Sequence, residues 1–424
     1  MRKSNSNIIG IDWKLVFLYL ILVFIGWINI YSASKTDIHF EIFDFSTKYG
    51  RQLLWIGFSF ILIVVILFVD TEFYKQFSGI FYLISMLSLL GLFVFGKKIN
   101  GATSWYGFGN FSLQPTEFAK IAVSLGIAKL IGEKQFDLQI IKNQLKAFLI
   151  LLIPSVLIIL QPDPGSALVY LTFFFVFYRE GLPRYYIILA MVLLISSIFT
   201  IKYGYIIMEI VTLLIFISFL VYTYNYKKYF FRKYWIYYIA FYLSFFIFIV
   251  ATSYIYNNFL PQRHVDRINL ALNIVKDTKG KGYNIKQSEI AIGSGGFLGK
   301  GYLEGTQTKG DFVPEQHTDF IFSTVGEEWG FLGSTIVIVL FMVFILRIIQ
   351  IAETQKSKFS RIYGYSIASI FFIHFTINIG MVIGIVPTIG IPLPFFSYGG
   401  SSLWAFTILL FIFIRLDANK SNEW

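Results

Sequence analysis

The chain contains no cysteine in 424 residues. That excludes a disulfide framework, a thiolate nucleophile and any zinc site built on sulfur. Its four histidines, His39, His264, His317 and His374, lie far apart, which argues against a histidine-rich metal cluster. Charge is scarce too: 14% of residues are Asp, Glu, Lys or Arg, against about 25% in soluble globular proteins. So little charge cannot clothe the two or three cores that a soluble chain of this length would build. A soluble enzyme, a disordered chain and a disulfide scaffold are therefore ruled out.

What is abundant is apolar. Hydrophobic residues make up 56% of the chain and aromatic residues 20%, and the mean hydropathy is +0.69. An all-α polytopic integral membrane protein is expected. The net charge of +11 has a nucleic-acid reading and a membrane reading. The second is better, because Lys and Arg hold cytoplasmic loops inside; no nucleic-acid partner is expected, only membrane lipids around the spans.

A helix needs about 20 apolar residues to cross a bilayer. Runs of that kind fall at 15–34, 52–69, 76–96, 115–132, 147–162, 164–178, 185–201, 203–226, 234–257 and 329–346. The first is too long for a signal-peptide core of about 7–15 residues. The last uncharged run, Ile362 to Ile414, is too long for one helix, and the Pro- and Gly-rich stretch 386–400 must break it in two. Twelve spans put both termini on one side. Lys134, Lys142 and Lys146, Arg179 and Arg184, Lys227, Lys228, Arg232 and Lys233, and Lys356, Lys358 and Arg361 all share the side of Arg2 and Lys3. That side is therefore cytoplasmic. Segments 97–116, 161–165, 257–328 and 386–400 then face outward. The loop 257–328 is too long for a passive connection.

Four outward constellations carry chemistry. The first runs from Asn100-Gly-Ala-Thr-Ser-Trp105 to Gln114-Pro115-Thr116-Glu117-Phe-Ala-Lys120. Pro115 suits a helix start, and Glu117 and Lys120 stand one turn apart, able to pair. Charges inside a span cost about 2.5–3.5 kcal/mol on insertion scales, so this pair points to a polar cavity. The plainer alternatives are an ordinary intrahelical ion pair, and an interfacial anchor for Trp105. The second is Gln161-Pro-Asp163-Pro-Gly165-Ser166, either a simple turn or a carboxylate sharing a site with Glu117.

The third constellation lies in the long loop. Gly293-Ser-Gly-Gly-Phe-Leu-Gly299-Lys300-Gly301 offers backbone N–H groups that an anion such as a diphosphate can approach, or merely flexibility. It is not a P-loop, since Ser294 stands at the first glycine and Gly301 replaces the Ser/Thr. Pro314-Glu315-Gln316-His317-Thr318-Asp319-Phe320 follows. Asp319 enters an apolar stretch, where partial desolvation suits a general base, with His317 and Glu315 to orient it. The alternative is a helix cap made by Thr318 or Asp319. The fourth is Pro392-Leu-Pro-Phe-Phe-Ser397-Tyr398-Gly-Gly-Ser401-Ser402, at its simplest a re-entrant turn. His374, in mid-span, reads as a hydrogen-bonded core histidine. No span carries a chain of acids at mid-depth, which an ion-coupled pump needs.

Taken in order, these blocks resemble the SEDS family (shape, elongation, division and sporulation), and its elongation branch more than its division branch. The matching blocks are Gln-Pro-Thr-Glu117…Lys120, Gln-Pro-Asp163-Pro-Gly, Gly-Ser-Gly-Gly…Gly-Lys-Gly, Gly-Thr-Gln307, Glu-Gln-His-Thr-Asp319-Phe and Pro-Leu-Pro…Ser-Tyr-Gly-Gly-Ser-Ser. Two departures stand out. The family usually has ten spans, so a helix pair at 203–257 looks inserted. Pro164 also stands where Leu or Phe is usual.

The resemblance implies a SEDS-type helical bundle that polymerises lipid II into peptidoglycan at the outer face of the cytoplasmic membrane. Its implied partners are a class B penicillin-binding protein and other elongation-complex proteins. Asp319 would be the general base. Trp105, Gln114, Glu117, Lys120, Asp163, Lys300, Glu315, His317, Thr318, Ser397 and Ser401 would line the cavity. The diphosphate needs positive charge, from Lys120, Lys300, Arg263, Arg267 or a divalent cation (Mg or Mn), for which Glu117 and Asp163 are candidate ligands. A lipid II flippase and a non-catalytic scaffold are the competing functions.

Overall fold

The computed structural model describes residues 10–35, 43–99, 101–109, 111–272, 274–275 and 282–420. Arg2, Lys3, His39 and Asn100, used in the sequence reading, lie outside them. The described chain divides into two compact units, Met1–Pro183 with Tyr283–Trp424, and Arg184–Gly282.

The first unit opens with α1 (Trp13–Ser34), α2 (Lys48–Phe68) and α3 (Thr71–Phe95). Asp12 caps α1 by accepting the Leu15 N–H, and Thr47 caps α2 through the Gly50 N–H. A small antiparallel sheet follows, β1 (Lys97–Ile99), β2 (Ala102–Phe108) and β3 (Phe111–Leu113) in that order. The sequence predicts only an outward loop here. The hairpin signal was the Asn-Gly pair at 100–101, and Gly101 and Gly109 both have the positive φ that tight turns require.

Next come α4 (Pro115–Gly132) and α5 (Ile141–Leu160), then a helical run in three pieces: α6 (Pro164–Leu168), a 3₁₀ turn (Val169–Thr172) and α7 (Phe173–Arg179). The second unit holds α8 (Tyr185–Tyr203), α9 (Tyr205–Tyr226), α10 (Lys228–Asn258) and α11 (Gln262–Ala271). It contains the pair expected as an insertion. The first unit resumes with α12 (Tyr283–Ser294), α13 (Thr306–Lys309), α14 (Ile321–Glu353), α15 (Lys358–Val382) and α16 (Gly400–Ala418).

Among the described residues, ten helices are long and apolar enough to cross a membrane: α1, α2, α3, α5, α8, α9, α10, α14, α15 and α16. The other two expected spans take a different form. Helix α4 carries Glu117, Lys120 and Lys129, and 164–179 is broken into short pieces. The stretch 257–328 is not a bare loop, because α11, α12 and α13 lie within it. Helix α4 packs between α3 and α15, and nearly all of it is buried, its charged residues Glu117 and Lys120 included. In the 18-residue apolar stretches of α15 and α16, 72% and 78% of residues are buried, against 6% in those of α9 and α10. The core of the first unit is thus built on α4, α15 and α16, while α9 and α10 leave most of their apolar surface for lipid.

Candidate active site

Three of the four constellations meet on the loop between α15 and α16. The first meets the second where Gln114, at the N-cap of α4, donates from Nε2 to Asp163 Oδ2 at 3.4 Å. The Thr103 N–H of β2, two residues before Trp105, also reaches the Gln161 carbonyl at 3.1 Å. Asp163 caps α6, accepting the Ser166 N–H at 3.2 Å and the Ser166 hydroxyl at 2.9 Å. The Gln114 N–H donates to Ser401 Oγ at 3.3 Å, and that hydroxyl reaches the Ser112 carbonyl of β3 at 3.2 Å. A Cβ on Gly165 would stand 2.6 Å from Ile389 Cγ2, so the second constellation touches the same loop.

Lys120 lies deeper. Its ammonium donates to Glu117 Oε2 at 2.7 Å and to His374 Nε2 at 3.0 Å, and stands 4.8 Å over the Phe406 ring. His374 Nδ1 lies 3.1 Å from the Pro392 carbonyl. The carbonyl can only accept, so Nδ1 carries the proton and Nε2 receives the Lys120 bond. The intrahelical ion pair is present, and it is extended to His374 of α15.

The segment carrying Asp319 is pinned to the same loop. Ser397 Oγ donates to the Thr318 carbonyl at 2.7 Å and accepts the Leu393 N–H at 2.9 Å. The Tyr398 N–H donates to the His317 carbonyl at 2.9 Å. Asn378 Nδ2 donates to the carbonyls of Asp319 at 2.9 Å and Ile391 at 2.8 Å. A Cβ on Gly390 would come within 3.3 Å of Asp319 Oδ2, so the missing side chain leaves room beside the carboxylate. Phe320, not Thr318 or Asp319, occupies the N-cap position of α14. The Thr318 hydroxyl turns back to Glu315 rather than capping α14.

The His317 side chain is 15% exposed, and Lys48 Nζ lies 3.4 Å from its Nδ1. Burial, then the Lys48 charge, push its pKa down to about 4, against the opposing pull of Glu315 and Asp311. The ring is neutral at physiological pH. Its Nδ1 accepts from the ammonium, and the Nε2 proton faces Glu315 Oε2 at 3.9 Å. Glu315 has φ +57° and accepts the Thr318 hydroxyl on its carboxylate at 2.9 Å.

The loop glycines serve packing. The Lys300 and Gly301 N–H groups donate to the Glu327 and Glu328 carbonyls, both at 3.0 Å, and the Gly299 N–H to Gly295 O at 2.9 Å. These donors are engaged with protein, so the anion-cradle expectation does not hold for them. Lys300 is held by Glu327 at 2.8 Å. Arg263 belongs to α11 in the second unit, as does Arg267.

Glu117 and Asp163, the candidate cation ligands, each already hold protein partners. Glu117 gives Oε2 to the Lys120 ammonium at 2.7 Å, and Asp163 accepts three hydrogen bonds, one from Gln114 and two from Ser166. Among the described residues no group of three or more His, Asp or Glu side chains is arranged to hold a metal ion.

Sequence reasoning missed Lys48, Asn378, Gln316 and Glu327. The signal for the last was present: Glu327-Glu328 is a costly acidic pair beside a long apolar run. Asn378 was likewise a lone amide inside one.

The comparisons agree with this architecture. The chain matches the FtsW–RodA–SpoVE family of cell cycle proteins over residues 12–220 and 206–422. It is 33% identical to the peptidoglycan glycosyltransferase RodA of Treponema pallidum, covering 96% of this chain and 98% of that one. It is 32% identical to the peptidoglycan glycosyltransferase MrdB of Escherichia coli, covering 95% and 92%. A chain from a peptidoglycan synthase complex, described for its coordination of polymerization and crosslinking, superposes with a TM-score of 0.73 at 24% identity over 98% of this chain and 99% of that one. The rod shape determining protein RodA of Thermus thermophilus does so at 0.63 and 24%, over 98% and 99%. The protein described here therefore belongs to the FtsW–RodA–SpoVE family, the SEDS proteins of the bacterial inner membrane.

Proposed function

We propose that this chain, a multi-pass peptidoglycan glycosyltransferase, joins lipid II units at the outer face of the inner membrane during cell elongation, with Asp319 as general base. The observation that carries the reading is the anchoring of the Asp319 segment. Ser397, Tyr398 and Asn378 bond its backbone at three consecutive carbonyls, those of Thr318, His317 and Asp319. A base must keep its place relative to the hydroxyl it serves.

The 4-hydroxyl of the acceptor GlcNAc gives its proton to Asp319 as its oxygen attacks the anomeric carbon of the lipid-linked MurNAc. The carbon–oxygen bond to the diphosphate breaks in the same displacement. An α-linked donor then becomes a β-linked product in one inversion. Diphosphate leaves readily, so no second carboxylic acid is needed.

The partner in this reading is a class B penicillin-binding protein that crosslinks the strand. The support is the structural neighbour described for coordinated polymerization and crosslinking. Purified protein incubated with lipid II tests the proposal. Wild type should build glycan chains, and Asp319→Ala should build none while eluting as a folded monodisperse species. Full polymerisation by Asp319→Ala removes the base. Transbilayer movement of labelled lipid II without polymer, in both proteins, would support the flippase instead.

A further inference from the structure

Glu327 lies in the first turns of α14 with its side chain fully buried. Oε1 accepts Lys300 Nζ at 2.8 Å, the Gln307 N–H at 2.8 Å and the Thr306 hydroxyl at 3.2 Å. Oε2 accepts the Thr308 N–H at 2.8 Å and the Thr308 hydroxyl at 2.7 Å. Every one of these donors belongs to the segment 300–308. A Cβ on Gly305 would stand 2.8 Å from Oε2, so the chain wraps closely around the carboxylate.

The clasp continues toward the reaction centre. The Thr308 carbonyl accepts Gln316 Nε2 at 2.9 Å, and the same amide reaches the Ala33 carbonyl of α1 at 2.9 Å and Asp311 Oδ1 at 3.2 Å. Gln316 is 2% exposed and directly precedes His317-Thr318-Asp319. The loop before α16 grips that tripeptide from one side. The path from Glu327 through Thr308 to Gln316 grips it at its start.

Stability alone is a poor account of this carboxylate. A buried ion pair is often matched by well-packed apolar residues, whereas a carboxylate taking two backbone N–H groups and a lysine sets geometry. We propose that Glu327 is a positioning residue of the glycosyl transfer, holding the Asp319 carboxylate in register by way of Thr308 and Gln316. This rests on the reading of Asp319 as base. Glu327 itself touches no reacting atom.

Glu327→Gln keeps the shape but replaces one acceptor oxygen with a donor, which then faces a lysine or an N–H. A shift of about 1 Å in a reacting group lowers rates by about 100-fold. With the full-length protein and lipid II, Glu327→Gln should lower kcat by about that factor while KM changes less than about twofold. Thr308→Val and Gln316→Leu should do the same in smaller measure. Glu327→Gln combined with Gln316→Leu should be no slower than the slower single variant, since both break one path. Wild-type kcat in folded Glu327→Gln, or effects that multiply, would overturn the proposal. Should Glu327→Gln not fold, Thr308→Val decides, because it keeps the Lys300 pair; wild-type kcat there is equally fatal.

Hydrogen exchange separates this proposal from the reading beneath it. Whatever reaction the wild type performs, Glu327→Gln should speed exchange at the amides of Gln307, Thr308, Thr318 and Phe320. Unchanged exchange at 318 and 320 breaks the path even if lipid II polymerisation stands. Loss of the polymerase reading, with faster exchange at all four, leaves the clasp in place without a glycosyl transfer to serve.

Discussion

Lys120 and Glu117 have side chains 2% and 3% exposed, so each charge depends on the other. Removing one partner of a buried pair leaves the other uncompensated, at about 3–5 kcal/mol. Lys120→Met should therefore lower the thermal midpoint sharply, and Glu117→Gln with Lys120→Met should recover most of the loss. Equal midpoints for wild type and Lys120→Met would mean that the pair carries no such dependence. His317 gives a pH signature at the same scale. Its folded pKa, about 4, lies below its unfolded value, about 6.5. The unfolded chain therefore takes the proton first. The stability contributed by neutral His317 is complete above about pH 6.5 and falls away as the pH drops toward 4. His317→Gln should flatten that stretch of the stability–pH curve, and Lys48→Met should shorten it by raising its lower edge. The spacing of Glu117 and Lys120 in the sequence announced their pairing. Nothing local announced that Lys48, 269 residues from His317, would tune it.

Among the elements, α14 and the glycine run before it carry the clearest test. Gly330 breaks α14 with φ +64°, and Gly299, at φ +84°, lies against the break. A Cβ on Gly299 would stand 2.1 Å from the Glu328 carbonyl oxygen. Left-handed backbone costs a non-glycine residue about 1–2 kcal/mol, and overpacking about 1–3 kcal/mol. Gly299→Ala should thus destabilise by about 2–5 kcal/mol. Gly293→Ala, where a Cβ meets nothing within 4 Å, should be tolerated. Similar denaturation midpoints for the two variants would leave the glycines with no packing role. The motif itself was readable as a sequence. Its job was not, because close approach of two backbones depends on a partner segment about 30 residues away.

Over the whole molecule, the absence of cysteine makes single-cysteine labelling a clean test of sidedness. Glu304→Cys should react with a membrane-impermeant maleimide on spheroplasts, and Lys134→Cys and Lys420→Cys only after lysis. Labelling of position 304 only after lysis would place the Asp319 segment in the cytoplasm and end the outer-face chemistry. The relation of Arg184–Gly282 to the expected helix pair at 203–257 also belongs here. The compact unit is wider than the pair, because α8 packs with α9 and α10. Hydropathy marks each span alone and does not say which spans pack as one unit.

The sequence by itself determined that this is a helical membrane protein and which short polar blocks interrupt its apolar runs. Both follow from composition and from the roughly 20-residue thickness of a bilayer. It also singled out Glu117 and Lys120, since charges within a span are costly, and Asp319, since it enters an apolar stretch; Ser397 and Ser401 came only with the family resemblance. Only the tertiary structure decided who bonds to whom. Ser397 reaches back to Thr318, Ser401 to Gln114, His374 to Lys120, and Glu327 closes on 300–308. Those contacts join residues up to 287 positions apart. Such distant pairings are set by how the helices pack around α4, and no local pattern of residues encodes them.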